Sequence, residues 1–129
     1  MAAEKLRSPL GSARGLGSAR EGAREWWVMR LSSIALIPLT LWFVASVIRN
    51  AGADYETFAA WVASPVPAVL LVITIAVSFH HIAHGLQVVI EDYVHVEWQK
   101  LAALIVVKFG CVLLGVAGVF AVLRIAFGG

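Results

Sequence analysis

Three long uncharged runs, separated by short polar stretches, set the pattern of this chain. The first extends from Leu31 to Ile48 and the second from Val66 to Ile90; the third, from Trp98 to Leu123, is interrupted only by Lys100 and Lys108. A hydrocarbon core about 30 Å thick is crossed by about 20 helical residues, so each run is long enough to span a bilayer. The pattern therefore predicts an all-α membrane protein with three transmembrane helices, at about 26–48, 66–91 and 98–124. Leu31–Ile48 is at the short end for a span, and Trp26-Trp27-Val28-Met29-Arg30 extends it. Tryptophan and arginine at the ends of such a run mark the two membrane interfaces. Pro38 removes a backbone donor and is expected to loosen or kink the first helix. Pro65 and Pro67 fall where proline is tolerated, in the first turn of the second. The polar stretch 49–65 holds Arg49, Asn50, Asp54 and Glu56, and its Tyr55, Phe58 and Trp61 suit a short interfacial helix.

The residues before the first run differ in kind. Residues 1–25 are rich in Gly, Ala, Ser and Arg and lack apolar periodicity; Gly-Ser-Ala-Arg occurs at 11–14 and again at 17–20, too short to count as a structural repeat. They predict a flexible or loosely docked cytoplasmic arm. Glu4, Glu21 and Glu25 weigh against a mitochondrial transit peptide, and the late, long apolar run weighs against a secretory signal. The six Lys and Arg residues within 1–30 contrast with Arg49 alone after the first helix and Arg124 alone after the third. The positive-inside rule thus predicts a cytoplasmic N-terminus, or a matrix-facing one in a mitochondrion. Three spans put the loop after the second helix on that same side. With 60% hydrophobic residues in 129, the composition is that of one membrane domain without a separate soluble catalytic core. A lone cysteine, Cys111, excludes an intrachain disulfide and a four-cysteine iron–sulfur site built by this chain alone. The dispersed basic residues give no support to nucleic-acid binding.

Candidate chemistry concentrates at the end of the second run. Ionisable side chains are costly in a bilayer and mark bundle interiors or ligand sites. His81, Gly85, Val88 and Asp92 are spaced four, three and four apart, so they share one helix face. His81 precedes Asp92 by eleven residues, about 16 Å at helical rise. With Asp92 at the interface, His81 lies near mid-membrane. The pairs His80/His84 and His81/His84 are also spaced for metal ligation, which keeps open a non-haem metal-binding membrane protein, such as a transporter. A purely structural assembly factor is a third class. Haem places its axial ligands on opposite faces of a flat ring, and two residues on adjacent turns of one helix cannot clamp both faces. A six-coordinate haem here would need its second ligand from another chain. On the third helix, Cys111, Gly115 and Gly118, with Ala121 at one edge, make a small-residue stripe suited to close packing. Lys108 is close to that stripe in phase and is expected to point toward protein. Ser32 and Ser33 are expected to bond back to the preceding turn, with a quinone contact as the lesser reading.

His81, Gly85 and Asp92-Tyr93 together resemble the hydrophobic membrane anchor of succinate dehydrogenase, in its small cytochrome b form. The resemblance covers roughly Trp26 to Gly129, including Arg30. It implies that the three helices pack with a partner anchor subunit into a helical bundle. It also implies that His81 is a haem b iron axial ligand, with His84 the rival, and that the other ligand comes from the large cytochrome b anchor subunit. Tyr93 and Asp92 would contribute to the ubiquinone site, with Glu91 and His95 as local proton partners. Arg30 would contact a haem propionate or lie near the quinone. The chain alone would oxidise no succinate; FAD and the iron–sulfur clusters would reside in the flavoprotein and iron–sulfur partner subunits. The implied function is anchoring of respiratory complex II in the bacterial inner membrane, or the mitochondrial one, passing electrons from the tricarboxylic acid cycle to ubiquinone. The anchor of a fumarate reductase is the nearest alternative.

Overall fold

The computed structural model describes residues 9–10 and 19–128. Four helices follow one another: α1 (Ala19–Asn50), α2 (Tyr55–Ala63), α3 (Pro65–Tyr93) and α4 (Glu97–Ala126). The described residues contain no strand. Three of these helices are long and apolar enough to cross a membrane, over Gly22–Asn50, Pro65–Tyr93 and Glu97–Ala126. At 1.5 Å per residue each is about 43–45 Å long, so their ends reach past the hydrocarbon into the headgroup regions. Residues 1–8 and 11–18 of the arm expected over 1–25 lie outside the described residues, and 19–25 belong to α1. Helix α1 continues through Pro38.

Short polar signals set the helix boundaries. Asp54 caps α2, its Oδ1 accepting the Thr57 N–H at 2.9 Å. These bonds from Thr57, its side chain first, hold the Asp54 carboxyl below the ordinary carboxylate range. Gly52 supplies the one turn before it that needs a left-handed backbone, at φ 83°. Ser64 ends α2 and is also the N-cap residue of α3, whose first residue is Pro65. Proline fits there because a helix's first N–H groups have no internal partner to lose.

By contacts the chain divides into residues 1–31 and 32–129. In the first unit, Trp26 and Trp27 meet edge to face at 5.1 Å, and the Arg30 guanidinium lies 5.0 Å from the centre of the Trp26 ring. The second unit is built on α3 and α4, which pack closely against each other. Glycines permit this approach. A Cβ on Gly115 would lie 3.5 Å from Phe79 Cβ, and one on Gly118 would lie 3.2 Å from Ile75 Cγ2. The small core comprises Val62, Leu71 and Val122, with Trp42, Trp61 and Ile75 packed on it. Trp42 of α1 stacks on Trp61 of α2 at 6.1 Å, which is the aromatic anchor of the short helix. Most other large apolar side chains point outward. In water such a surface would be prohibitive, whereas in lipid it is the expected exterior.

Candidate functional site

Helix α3 carries the histidines because its residues from Val66 to Ile90 are uncharged, and it ends where Glu91-Asp92-Tyr93 becomes polar. The three rings do not converge. His80 and His84, one turn apart, have ring centroids 5.9 Å apart and planes tilted by 32°. His81 turns elsewhere. Its Nδ1 lies 2.9 Å from Ser32 Oγ of α1, bridging 49 residues of sequence. Ser32 is buried, with 9% of its surface exposed, and His81 is half-buried. Successive helical residues point about 100° apart, which is why His80 and His81 reach different neighbours.

The fit of this site to a haem can be judged from its donors. Neutral imidazole has one protonated and one unprotonated nitrogen, and metal-ligating histidines commonly donate their other N–H to an oxygen. With Nδ1 engaged by an oxygen, Nε2 is the nitrogen left to coordinate iron. The donor set therefore fits one axial position. Among the described residues, no three His, Cys, Asp or Glu side chains gather where they could hold a metal ion.

The remaining residues singled out in the sequence are more dispersed. Asp92 and Tyr93 are exposed at the end of α3, Tyr93 at 77%. Tyr93 follows His81 by twelve residues, about 18 Å along the helix axis. Gly85 is half-buried on the His81 face. His84, the rival ligand, is half-buried and paired with His80. Glu91 accepts from Gln87 Nε2 at 2.8 Å, a bond between helix neighbours four apart. His95 is exposed in the loop before α4. Arg30 is exposed, with Trp26 beneath its guanidinium.

Lys108 is exposed in the isolated chain, while Gly115 and Gly118 of the nearby stripe face α3. Seven residues leave position 108 only about 20° from Gly115 in phase.

Ser32 is the residue whose role the pattern did not identify. A serine near the start of an apolar helix ordinarily bonds its own preceding turn. The available signal was a polar side chain in one span and histidines in another, but only the packing selects which serine meets which ring.

The family described as Succinate dehydrogenase/Fumarate reductase transmembrane subunit matches residues 4–117. A succinate dehydrogenase hydrophobic membrane anchor subunit from Paracoccus denitrificans is 34% identical over 121 residues, covering 94% of this chain and 93% of that protein. Proteins of the same description from Rickettsia bellii and Rickettsia conorii are 30% and 31% identical. These alignments cover 91% and 84% of this chain and 94% and 87% of the respective relatives. No solved structure gives a significant match.

Proposed function

Because this chain belongs to the succinate dehydrogenase/fumarate reductase transmembrane subunit family, as a multi-pass hydrophobic membrane anchor, we propose that it supplies one haem b axial ligand and part of the ubiquinone-reduction site of succinate dehydrogenase. The observation that carries the ligand assignment is the orientation of His81, turned from the His80–His84 pair toward Ser32.

In this reading His81 Nε2 would hold the haem iron together with a histidine of the large anchor subunit, since a single helix could not supply both ligands. Haem b, when bound, supplies a one-electron store within the membrane. Arg30, in the N-terminal part of α1, would offer its guanidinium to a propionate. Tyr93 donates its phenolic proton to a quinone carbonyl, and Asp92 positions or resupplies that proton, directly or through water. Their exposure in the isolated chain leaves them open to walls contributed by partner subunits. Succinate oxidation belongs to the flavoprotein subunit with its FAD, and the iron–sulfur subunit conducts electrons to the membrane. The six Lys and Arg residues within 1–30 support a cytoplasmic N-terminus in a bacterial inner membrane. Asp92 and Tyr93 then open toward the compartment of the soluble subunits.

The family description also covers fumarate reductase, whereas the named relatives are succinate dehydrogenase anchors, which favours succinate oxidation. The test is purification of the tagged chain with and without its co-expressed membrane partner. The pair is expected to carry soluble subunits and a low-spin b-type reduced-minus-oxidised spectrum, and the lone chain none. A fully ligated haem in the lone monomer would defeat the two-chain ligand scheme.

A further inference from the structure

We propose that Ser32 is a positioning residue for the axial ligand: its hydroxyl oxygen accepts the Nδ1–H of His81, fixing the tautomer and the ring plane that present Nε2 to the haem iron. The proposal rests on His81 being the ligand.

Geometry is the first argument. The Oγ–Nδ1 separation of 2.9 Å is that of a good hydrogen bond, and the bond joins separate helices. Ser32 is buried, so water competes poorly for the interaction. Residue chemistry adds a second argument. A hydroxyl can accept one hydrogen bond while donating another, so holding His81 need not strand the serine proton. A histidine coordinated through Nε2 needs its proton on Nδ1, and a nearby oxygen stabilises that tautomer. The choice of oxygen also matters. A carboxylate would pull strongly on the proton and push the ring toward imidazolate. A neutral hydroxyl polarises Nδ1–H more gently and leaves a neutral imidazole ligand. Electron density at Nε2, and with it the balance between ferric and ferrous iron, should therefore respond to the loss of Ser32 Oγ.

Mechanical consequences follow from the helices involved. His81 lies on α3, whose packing partner is α4, whereas Ser32 lies on α1. The imidazole is thus held by its own backbone from one side and by a second helix from another. A ring free to rotate about its side-chain torsions would meet the iron in several planes. Anchoring Nδ1 selects one of them. Removing the hydrogen-bond partner of a metal-bound histidine typically changes metal affinity by about 10- to 100-fold.

The experiment compares the complete purified complex with Ser32→Ala, Ser32→Thr, Ser32→Val and His81→Ala forms. Complex assembly is scored by subunit content and by succinate oxidation with a soluble acceptor. Electron paramagnetic resonance of the ferric haem and optical redox titration supply the decisive readouts. Ser32→Ala and Ser32→Val are expected to retain low-spin haem but shift its principal g-values and midpoint potential, with haem retention weakened by about 10- to 100-fold. Ser32→Thr, which keeps the hydroxyl, should restore both signals, while Val matches its shape without the acceptor. Equal g-values and potentials in Thr and Val would overturn the positioning role. Exchangeable-proton double resonance on the unsubstituted complex, with labelled histidine, provides a test independent of variant assembly. A ligand Nδ1 proton with a slow, hydrogen-bonded signature is expected, and a freely exchanging one would overturn the proposal. His81→Ala distinguishes the underlying reading: an intact bis-histidine spectrum there removes His81 as ligand and Ser32 with it. Loss there beside an unchanged Ser32→Ala signal rejects only the Ser32 role.

Discussion

Ser32 Oγ of α1 and His81 Nδ1 of α3 meet at 2.9 Å, while the adjacent His80 lies against His84 instead. The two arrangements divide three neighbouring histidines into one ring bonded to another helix and two rings that lie near each other on their own helix. This division makes them separable by mutation, because the side chains at 80 and 81 act on different surroundings.

His81→Ala in the assembled complex should lose the low-spin b-type signature, through haem loss or a shift to high spin. His80→Ala should retain it. His84→Ala should retain it too, with a shift in potential from the altered neighbourhood. Spectra are compared at equal subunit content. A normal spectrum in His81→Ala together with loss in His84→Ala would transfer the ligand assignment one turn along α3.

Gly118 tests the seam that holds α3 against α4. A methyl there would come within 3.2 Å of Ile75 Cγ2, tighter than ordinary packing, whereas one at Gly115 would meet Phe79 at an ordinary 3.5 Å. Overpacking a filled seam costs about 1–3 kcal/mol. Gly118→Leu should thus lower the denaturation midpoint of the complex in detergent, Gly118→Ala less so, and Gly115→Ala least. A Gly115→Ala loss larger than that of Gly118→Leu would contradict the packing described.

The three spans were legible because uncharged runs of this length have few uses other than crossing a bilayer. The small-residue stripe was equally readable, since Gly115 and Gly118 permit the close approach seen against Phe79 and Ile75. Asp54, by contrast, read only as part of a polar loop, although its spacing from Thr57 is that of an N-cap. Ser32–His81 was not legible. Helical phase says which residues share a face, but not which face of α3 turns to α1, and that depends on packing such as Trp42 on Trp61. Asp92 and Tyr93, proposed for the quinone site, stood out through resemblance, and the fold adds their exposure at the end of α3.

The cap on α2 gives a pH prediction of definite sign. Hydrogen bonds from Thr57 lower the Asp54 pKa from the ordinary carboxylate value of about 3.9. A depressed folded-state pKa contributes stability that is fully present above the unfolded value and is lost as pH falls through the folded one. Amide exchange at Thr57 should therefore accelerate, relative to its intrinsic rate, as acid protonates Asp54. Asp54→Ala should remove the protection at neutral pH. Asp54→Asn should keep much of it, since Asn also caps well, while abolishing this acid-dependent step. Retained protection in Asp54→Ala would show that the cap does not hold this helix start.

Tyr93 offers the most direct test of the quinone assignment. The residue is 77% exposed in the isolated chain, so Tyr93→Phe should leave the fold of α3 undisturbed. The substitution removes one hydroxyl and keeps most of the ring. If that hydroxyl donates to a quinone carbonyl, its loss should cost on the order of 1 kcal/mol for a neutral hydrogen bond, more if a buried partner is stranded. One kcal/mol corresponds to about fivefold in rate. Ubiquinone reduction should fall by at least that factor, while succinate oxidation measured with a soluble acceptor stays unchanged, because that assay bypasses the membrane site. Asp92→Asn supplies the companion measurement: if Asp92 resupplies the proton, its quinone reductase activity should fall and its pH profile should change shape. Equal losses in both assays for Tyr93→Phe would locate the damage in assembly or docking. Unchanged quinone reduction in a fully assembled Tyr93→Phe complex would remove the phenol from the reaction.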